Sequence, residues 1–301
     1  MASHESVMVS EVMEILSMKP GQVFVDGTLG LAGHSVAIAK QLVPGGKIVG
    51  IDWDESMLEI GKSRLSSVAG INTFFFNADY RQLSECVQKA QAQDPSVVPN
   101  GILLDLGLNN AQIEDAERGI SFRADGPLDM RMDRTKGEPA SAWLNRATMA
   151  EIARVLHEYG DENWSKRIAN VIVDRRKVEP LKTTFDLVDC IEAAVPKAMR
   201  DKRLHVATRS FQAIRVYING ELDGLQEAVE SAAETLAPGG TLVTLSYHSG
   251  EDRAAKQAMR HLAESGEFIE LFKKPLVPTA QEIERNPKSR SAKLRALRKA
   301  S

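Results

Sequence analysis

Residues 25–35 read VDGTLGLAGHS: Asp26 closes an apolar run, Gly27, Gly30 and Gly33 follow at three-residue spacing, and His34 and Ser35 open the next segment. Glycine has no side chain and costs backbone entropy, so this density marks a chain that turns tightly or lets a ligand approach its backbone. Three more apolar runs end in acids: KIVGID at Asp52, FFFNAD at Asp79 and GILLD at Asp105. Asp52, one unit after the glycine loop, is placed to accept both hydroxyls of a ribose, which points to an adenosine ligand. Asp26 beside the loop opposes a diphosphate and favours a cation. S-adenosylmethionine, with a sulfonium and an ammonium group, therefore fits better than a nicotinamide dinucleotide, which would need the tighter G-x-G-x-x-G pattern.

The elements that position these acids follow from the spacing. The four aspartates lie 26, 27 and 26 residues apart, about the length of a strand, a crossover helix and two loops. SVAIAKQL, ESMLEIGKSRL and RQLSECVQKAQ carry helical apolar periodicity between them, the second behind Asp54 as a cap. Consecutive βα units predict an α/β fold, a Rossmann-like doubly wound parallel sheet, with all four acids at its carboxyl edge. The next strand, TLVTLSYHS, starts 136 positions after Asp105 and behind the turn APGG. That gap is too long for a structureless loop and predicts an inserted domain. Within it SAWLNRATMAEIARVLHEYG, DENWSKRIANVIVDRRK and TTFDLVDCIEAAVPKAM predict helices, and ELDGLQEAVESAAETL predicts the helix that returns to the sheet. The expected division is a sheet domain of residues 1–110 and 206–301 around a helical insert of residues 111–205.

Composition sets the outer limits. With 301 residues, 43% hydrophobic and 26% charged, the chain has an ordinary globular balance. A net charge of −3 means that a nucleic-acid partner must be met by local basic surface. Cys86 and Cys190 are far apart with no C-x-x-C pair, so reduced thiols and no metal site are expected. No stretch reaches the roughly 18 apolar residues of a membrane span and no secretory leader is evident, so the location expected is cytoplasmic.

Eight blocks then stand in order: DGTLGLAGHS, GIDWD, GILLDLG, DAERGISFRADGPLDMRMD, LNRATMAEIARVLHEYGDE, HVATRSFQAIRVYIN, SYHSGEDR and NPKSRSAKLR. Together they resemble the bacterial 16S ribosomal RNA cytosine-N4 methyltransferase family, RsmH or MraW, from His4 to Arg295. The resemblance implies a class I S-adenosylmethionine-dependent methyltransferase fold with a helical substrate-recognition insert. It also implies methylation of a cytidine amine in the decoding region of 16S rRNA, with the small ribosomal subunit as partner, no membrane association and a possible homodimer. By motif position, cofactor contacts fall on Ala32, Gly33, His34, Asp52, Tyr80, Asp105 and Gln112, beside Asp26 and Gly30 from the loop itself. The chain departs from the family pattern at Leu31 and Ala32, at Leu108 to Ala111, at Tyr247, where phenylalanine is usual, and at Gly250.

A cytosine amine is a weak nucleophile, so the site must orient it and accept its hydrogens as positive charge develops. Asp105, Asn109 and Asn110 are the candidates for that task, with His248 after the fifth strand as a further contact to the target. RNA would be held by Arg118, Arg123, Arg209, Arg215, Arg290, Lys293 and Arg295, with Phe122 able to stack on a base. Arg131 and Arg134 read instead as partners of neighbouring aspartates. Two other readings stay open at this level: an NAD-dependent oxidoreductase on the same sheet edge, and a non-catalytic relative that binds S-adenosylmethionine and the ribosome.

Overall fold

The computed structural model describes residues 6–107, 115–201 and 204–301, which divide into two compact units. The first comprises Met1–Gly107 with Gly224–Ser301 and the second Leu108–Asp223. Among the described residues no helix is long and apolar enough to cross a membrane.

The first unit is built on a seven-stranded sheet of order β3-β2-β1-β4-β5-β7-β6. Its strands are β1 (Val23–Asp26), β2 (Lys47–Asp52), β3 (Asn72–Asn77), β4 (Gly101–Asp105), β5 (Thr241–Ser246), β6 (Phe268–Glu270) and β7 (Lys293–Lys299). β1 to β5 run parallel, as expected from the βα rhythm, whereas β7 runs antiparallel between β5 and β6. Every residue of β1 and β5 is buried, the mark of central strands covered on both faces. The cover comes from α1 (Val9–Leu16), α2 (Gly33–Leu42), α3 (Glu55–Leu65), α4 (Leu83–Gln93), and, after the second unit, from Leu225–Glu234 and Ser249–Glu264. α3 starts where expected, since Asp54 accepts from the amides of Ser56 and Met57.

The second unit is helical: α5 (Ala140–Arg146), α6 (Met149–Gly160), α7 (Ser165–Val178), α8 (Thr184–Ala194) and α9 (Thr208–Asn219). Its core joins Trp143, Leu156, Ile168, Ile191 and Phe211, all buried. The segment expected as one helix up to Gly160 is two, because Thr148 breaks it with a reciprocal cap in which its hydroxyl takes the Glu151 amide. The same device starts α8, with Thr183 and Asp186.

The boundary also differs from the expected residue 206. α9 belongs to the helical unit, where it lies so close to α6 that a Cβ on Gly160 would fall 2.6 Å from the Arg209 carbonyl oxygen. Asn219, at its end, donates to the Met130 carbonyl and accepts from the Met132 amide. Along the C-terminal side, α10 (Leu225–Glu234), α11 (Ser249–Glu264) and α12 (Ala280–Arg285) complete the first unit. The segment with Lys293 and Arg295, expected to contact RNA, is strand β7, its residues from Leu294 to Leu297 all buried.

Candidate active site

The glycine loop turns above β1, and its glycines have different tasks. Gly30 takes the left-handed φ of +50°, is partly exposed, and an added Cβ would meet the Thr28 carbonyl oxygen at an ordinary 3.8 Å. Gly27 and Gly33 instead lie against the chain itself: added Cβ atoms would lie 2.5 Å from a Leu104 methyl and 2.0 Å from Ser6 Oγ, so those side chains would have to move. Ala32 is buried at φ +56°, a left-handed conformation unfavourable for a residue with a Cβ. It caps the N-terminus of α2 without a side-chain hydrogen bond, leaving the amides of Gly33 and His34 in the first turn.

Asp52 closes β2 beside this loop. Its Oδ2 accepts from the Gly30 amide at 2.7 Å and its Oδ1 from the Asp54 amide at 2.9 Å. Burial pushes the Asp52 carboxyl up to about 6, against the pull of those two amides. Asn77 steadies the strand end by donating to the carbonyls of Asp52 and Trp53.

Asp26, expected to meet the cofactor directly, is 2% exposed and its oxygens are taken by the Ser35 hydroxyl at 2.6 Å and the Thr28 amide at 3.2 Å. Burial raises its carboxyl above the ordinary range. It thus braces the loop from below. His34 is likewise enclosed, with Nε2 2.8 Å from the Val7 carbonyl oxygen and Nδ1 3.7 Å from Asp105 Oδ2. Asp105, at the end of β4, is the more accessible acid, with 26% of its side chain exposed. Its amide donates to Thr28 Oγ1 at 2.7 Å, and its Oδ1 accepts from the Tyr247 hydroxyl at 2.7 Å. The rim therefore holds two acids, Asp52, buried and hydrogen-bonded to the Gly30 turn, and Asp105, partly exposed. That donor set suits a ligand carrying a ribose diol and a positive charge, and S-adenosylmethionine has both.

The remaining sequence candidates separate. Asp79 is consumed by Arg81, whose guanidinium donates to both its oxygens, while Tyr80 lies under the same guanidinium, 5.6 Å from ring centroid to Cζ. His248, expected at the target, is a helix cap: Nδ1 accepts from the Glu251 amide, Nε2 lies 3.2 Å from Glu251 Oε1, and the side chain is almost wholly enclosed. Asn109, Asn110 and Gln112 lie outside the described residues. The residues missed by sequence reasoning are Thr28, Ser35 and Tyr247. Only Tyr247 carried a signal, the hydroxyl it adds where the family pattern has phenylalanine.

Of the basic candidates, Lys293 and Arg295 are engaged by Asp252 at 3.1 and 2.7 Å, and Arg295 is buried. A buried, paired guanidinium is not a phosphate contact, so the expected role of Arg295 is corrected. Arg290 is exposed. In the helical unit Arg215 is clamped by both oxygens of Glu221, and Arg118 pairs with Asp115. Arg131 pairs with Asp129 as anticipated. Arg209 is exposed and reaches the Asp161 carbonyl, and Arg123 is exposed with no ion-pair partner among the described residues. Arg123 borders a recess of about 470 Å³ where Phe122 stacks on His205 at 4.7 Å and meets Phe211 edge-on, with Thr208 and Gln212 on the wall.

Comparison with known proteins adds the following. Residues 1–300 match the model of the MraW methylase family. Ribosomal RNA small subunit methyltransferase H of Heliobacterium modesticaldum is 40% identical over 311 residues, spanning 98% of this chain and 98% of its own. The protein of the same name from Methylococcus capsulatus is 42% identical over 305 residues, 97% of this chain and 99% of its own. A third, from Coxiella burnetii, is 40% identical over 314 residues and the full length of both.

Proposed function

This chain belongs to the MraW methylase family, and from that premise we propose that it transfers a methyl group from S-adenosylmethionine to N4 of a cytidine in the decoding region of 16S rRNA. The observation that carries the reading is the pair of strand-end acids, Asp52 bonded to the Gly30 turn and Asp105 partly exposed, in a chain that matches the family over residues 1–300. S-adenosylmethionine supplies an electrophilic methyl group on a sulfonium centre. Asp52 receives the ribose hydroxyls, Asp105 faces the cationic end, and the first-turn amides of α2 lie beside the loop. Asn109 and Asn110, following β4, accept the hydrogens of the target amine while it is aligned with the methyl group. Positioning and charge stabilisation, not proton removal by a strong base, supply the rate.

The helical unit, residues 108–223, recognises the RNA through Arg123, Arg209 and the aromatic recess at Phe122. Arg290 extends the basic surface on the first unit. An unpaired loop nucleotide is the substrate of choice, since a stacked base must first be unstacked at a cost of a few kcal/mol. The working partner is the small ribosomal subunit in the cytoplasm, with the enzyme as a homodimer, a state that light scattering measures. Membership in a methylase family leaves the nicotinamide reading without support.

The test is to incubate the protein with methyl-labelled S-adenosylmethionine and small subunits from cells lacking the enzyme, then to map the modified nucleotide. Label on N4 of a single decoding-region cytidine is expected. Donor binding without any label would favour the binding-only reading, and label elsewhere would remove the target assignment.

A further inference from the structure

Asp105 is held from an unexpected direction. Its Cα pairs in register with Leu245 of β5, and two residues later Tyr247 leaves the sheet edge and sends its ring back across the end of β4. The hydroxyl donates to Asp105 Oδ1 at 2.7 Å. The ring lies against the backbone at Gly107, where an added Cβ would come within 3.1 Å of it, and Gly107 itself takes φ +99°. The Tyr247 amide donates to Glu251 Oε2 at 2.7 Å, tying the start of the aromatic residue to the first turn of α11. Burial, with the Asp105 charge beside it, raises the phenol well above its ordinary value, so it stays a protonated donor.

A carboxylate on a sheet rim with a quarter of its surface open has freedom about its terminal torsion unless something fixes it. Here the backbone is held by the Asp105 amide on Thr28 Oγ1 and the carboxylate by the Tyr247 hydroxyl on Oδ1, with His34 Nδ1 3.7 Å from Oδ2. The phenol is a direct side-chain donor to that carboxylate, and it reaches across from the end of the neighbouring strand β5. We propose that Tyr247 is a positioning residue for cofactor binding: its hydroxyl sets the orientation in which Asp105 receives the cationic end of S-adenosylmethionine. The inference rests on the function proposed above and names a further determinant of its donor site. It works by pre-organisation, since a group already oriented need not be ordered when the ligand arrives.

The variant Tyr247→Phe removes one oxygen and keeps the ring against Gly107, so folding is expected to survive. Titration calorimetry of the full chain with S-adenosylmethionine should show binding weakened about fivefold, less than the loss of a charged hydrogen bond to the ligand itself, because the phenol acts only through Asp105. In steady-state assays the loss should appear in the KM for the donor and not in kcat, because an interaction equal in ground and transition states affects binding alone. The decisive arm is a double-mutant cycle with Asp105→Asn. If Tyr247 acts through Asp105, Tyr247→Phe adds less than about a factor of two in that background. Wild-type donor affinity in Tyr247→Phe, or its full effect persisting beside Asp105→Asn, overturns the inference. Absence of donor binding by the unsubstituted protein would remove the proposed function and this inference together, whereas binding indifferent to Tyr247 removes only the latter.

Discussion

The Gly30 amide donates to Asp52 Oδ2 at 2.7 Å, so the glycine loop and the acid of the neighbouring strand form one hydrogen-bonded unit. Burial raises the Asp52 carboxyl from its ordinary 3.8 to about 6. Between those values the native chain holds a proton that the unfolded chain releases, so this group's contribution to stability falls as pH rises from about 4 to 6. Ribose hydroxyls need the ionised acceptor, and donor affinity should therefore move the opposite way, weakening as pH drops through about 6. Calorimetry with S-adenosylmethionine from pH 5 to 8 should show this fall, and Asp52→Asn should weaken binding at pH 7.5 by roughly tenfold or more, as for a charged hydrogen bond, while flattening the profile. Equal slopes in the two proteins would detach Asp52 from the donor.

Ala32 occupies a left-handed position that the family pattern fills with glycine, and it does so fully buried. Replacing it by glycine relieves roughly 1–2 kcal/mol of backbone strain but gives up a buried methyl group of about 0.8 kcal/mol and some backbone entropy. These nearly cancel, which explains how the chain tolerates alanine here. Ala32→Gly is expected to stay within about 1 kcal/mol of wild type in urea unfolding, whereas Ala32→Val adds β-branching to an unfavourable φ without room for it and should lose about 2–3 kcal/mol. A valine variant as stable as wild type would contradict the assigned backbone.

Arg295 is a structural residue of the sheet. With its Nε 2.7 Å from Asp252 Oδ1 and both groups largely enclosed, truncation strands a buried carboxylate. Removing one member of such a pair costs about 3–5 kcal/mol, moderated here because Lys293 remains 3.1 Å from the other oxygen. Arg295→Ala should lower the urea midpoint strongly yet leave RNA affinity within about twofold under conditions where it stays folded. A large loss of RNA binding without a loss of stability would return Arg295 to the RNA surface.

The parallel half of the sheet was legible because each βα unit repeats the same length and ends in an acid, so Asp26, Asp52 and Asp105 could be placed at strand ends from spacing alone. Their division of labour was not. Whether an aspartate at a strand end faces solvent or supports the loop depends on neighbours such as Ser35 and Thr28, which carry no motif of their own. β7 escaped because KLRALRK looks like a solvated basic run, whereas it lies between β5 and β6 with Lys293 and Arg295 paired to Asp252. The insert's helices were visible in their periodicity. Its boundary was not, because the close approach of α9 to Gly160 is a tertiary fact with no local signature.

Phe122, His205 and Phe211 form an aromatic cluster beside the exposed guanidinium of Arg123, which has no ion-pair partner among the described residues. Stacking on such a platform reads single-stranded bases without regard to pairing and contributes roughly 1–3 kcal/mol per base, while a lone arginine adds a phosphate contact that salt screens. Two variants should therefore fail differently in filter binding to a decoding-region RNA. Phe122→Ala should weaken single-stranded binding about tenfold, within that range, with the salt slope unchanged. Arg123→Ala should lower the slope of affinity against salt by about 0.7–0.9, the release of one counterion, and weaken duplex and single strand alike. Phe122 is half-buried against Phe211, so circular dichroism of each variant accompanies the binding data. Equal losses with equal salt slopes would show that the recess does not hold a base.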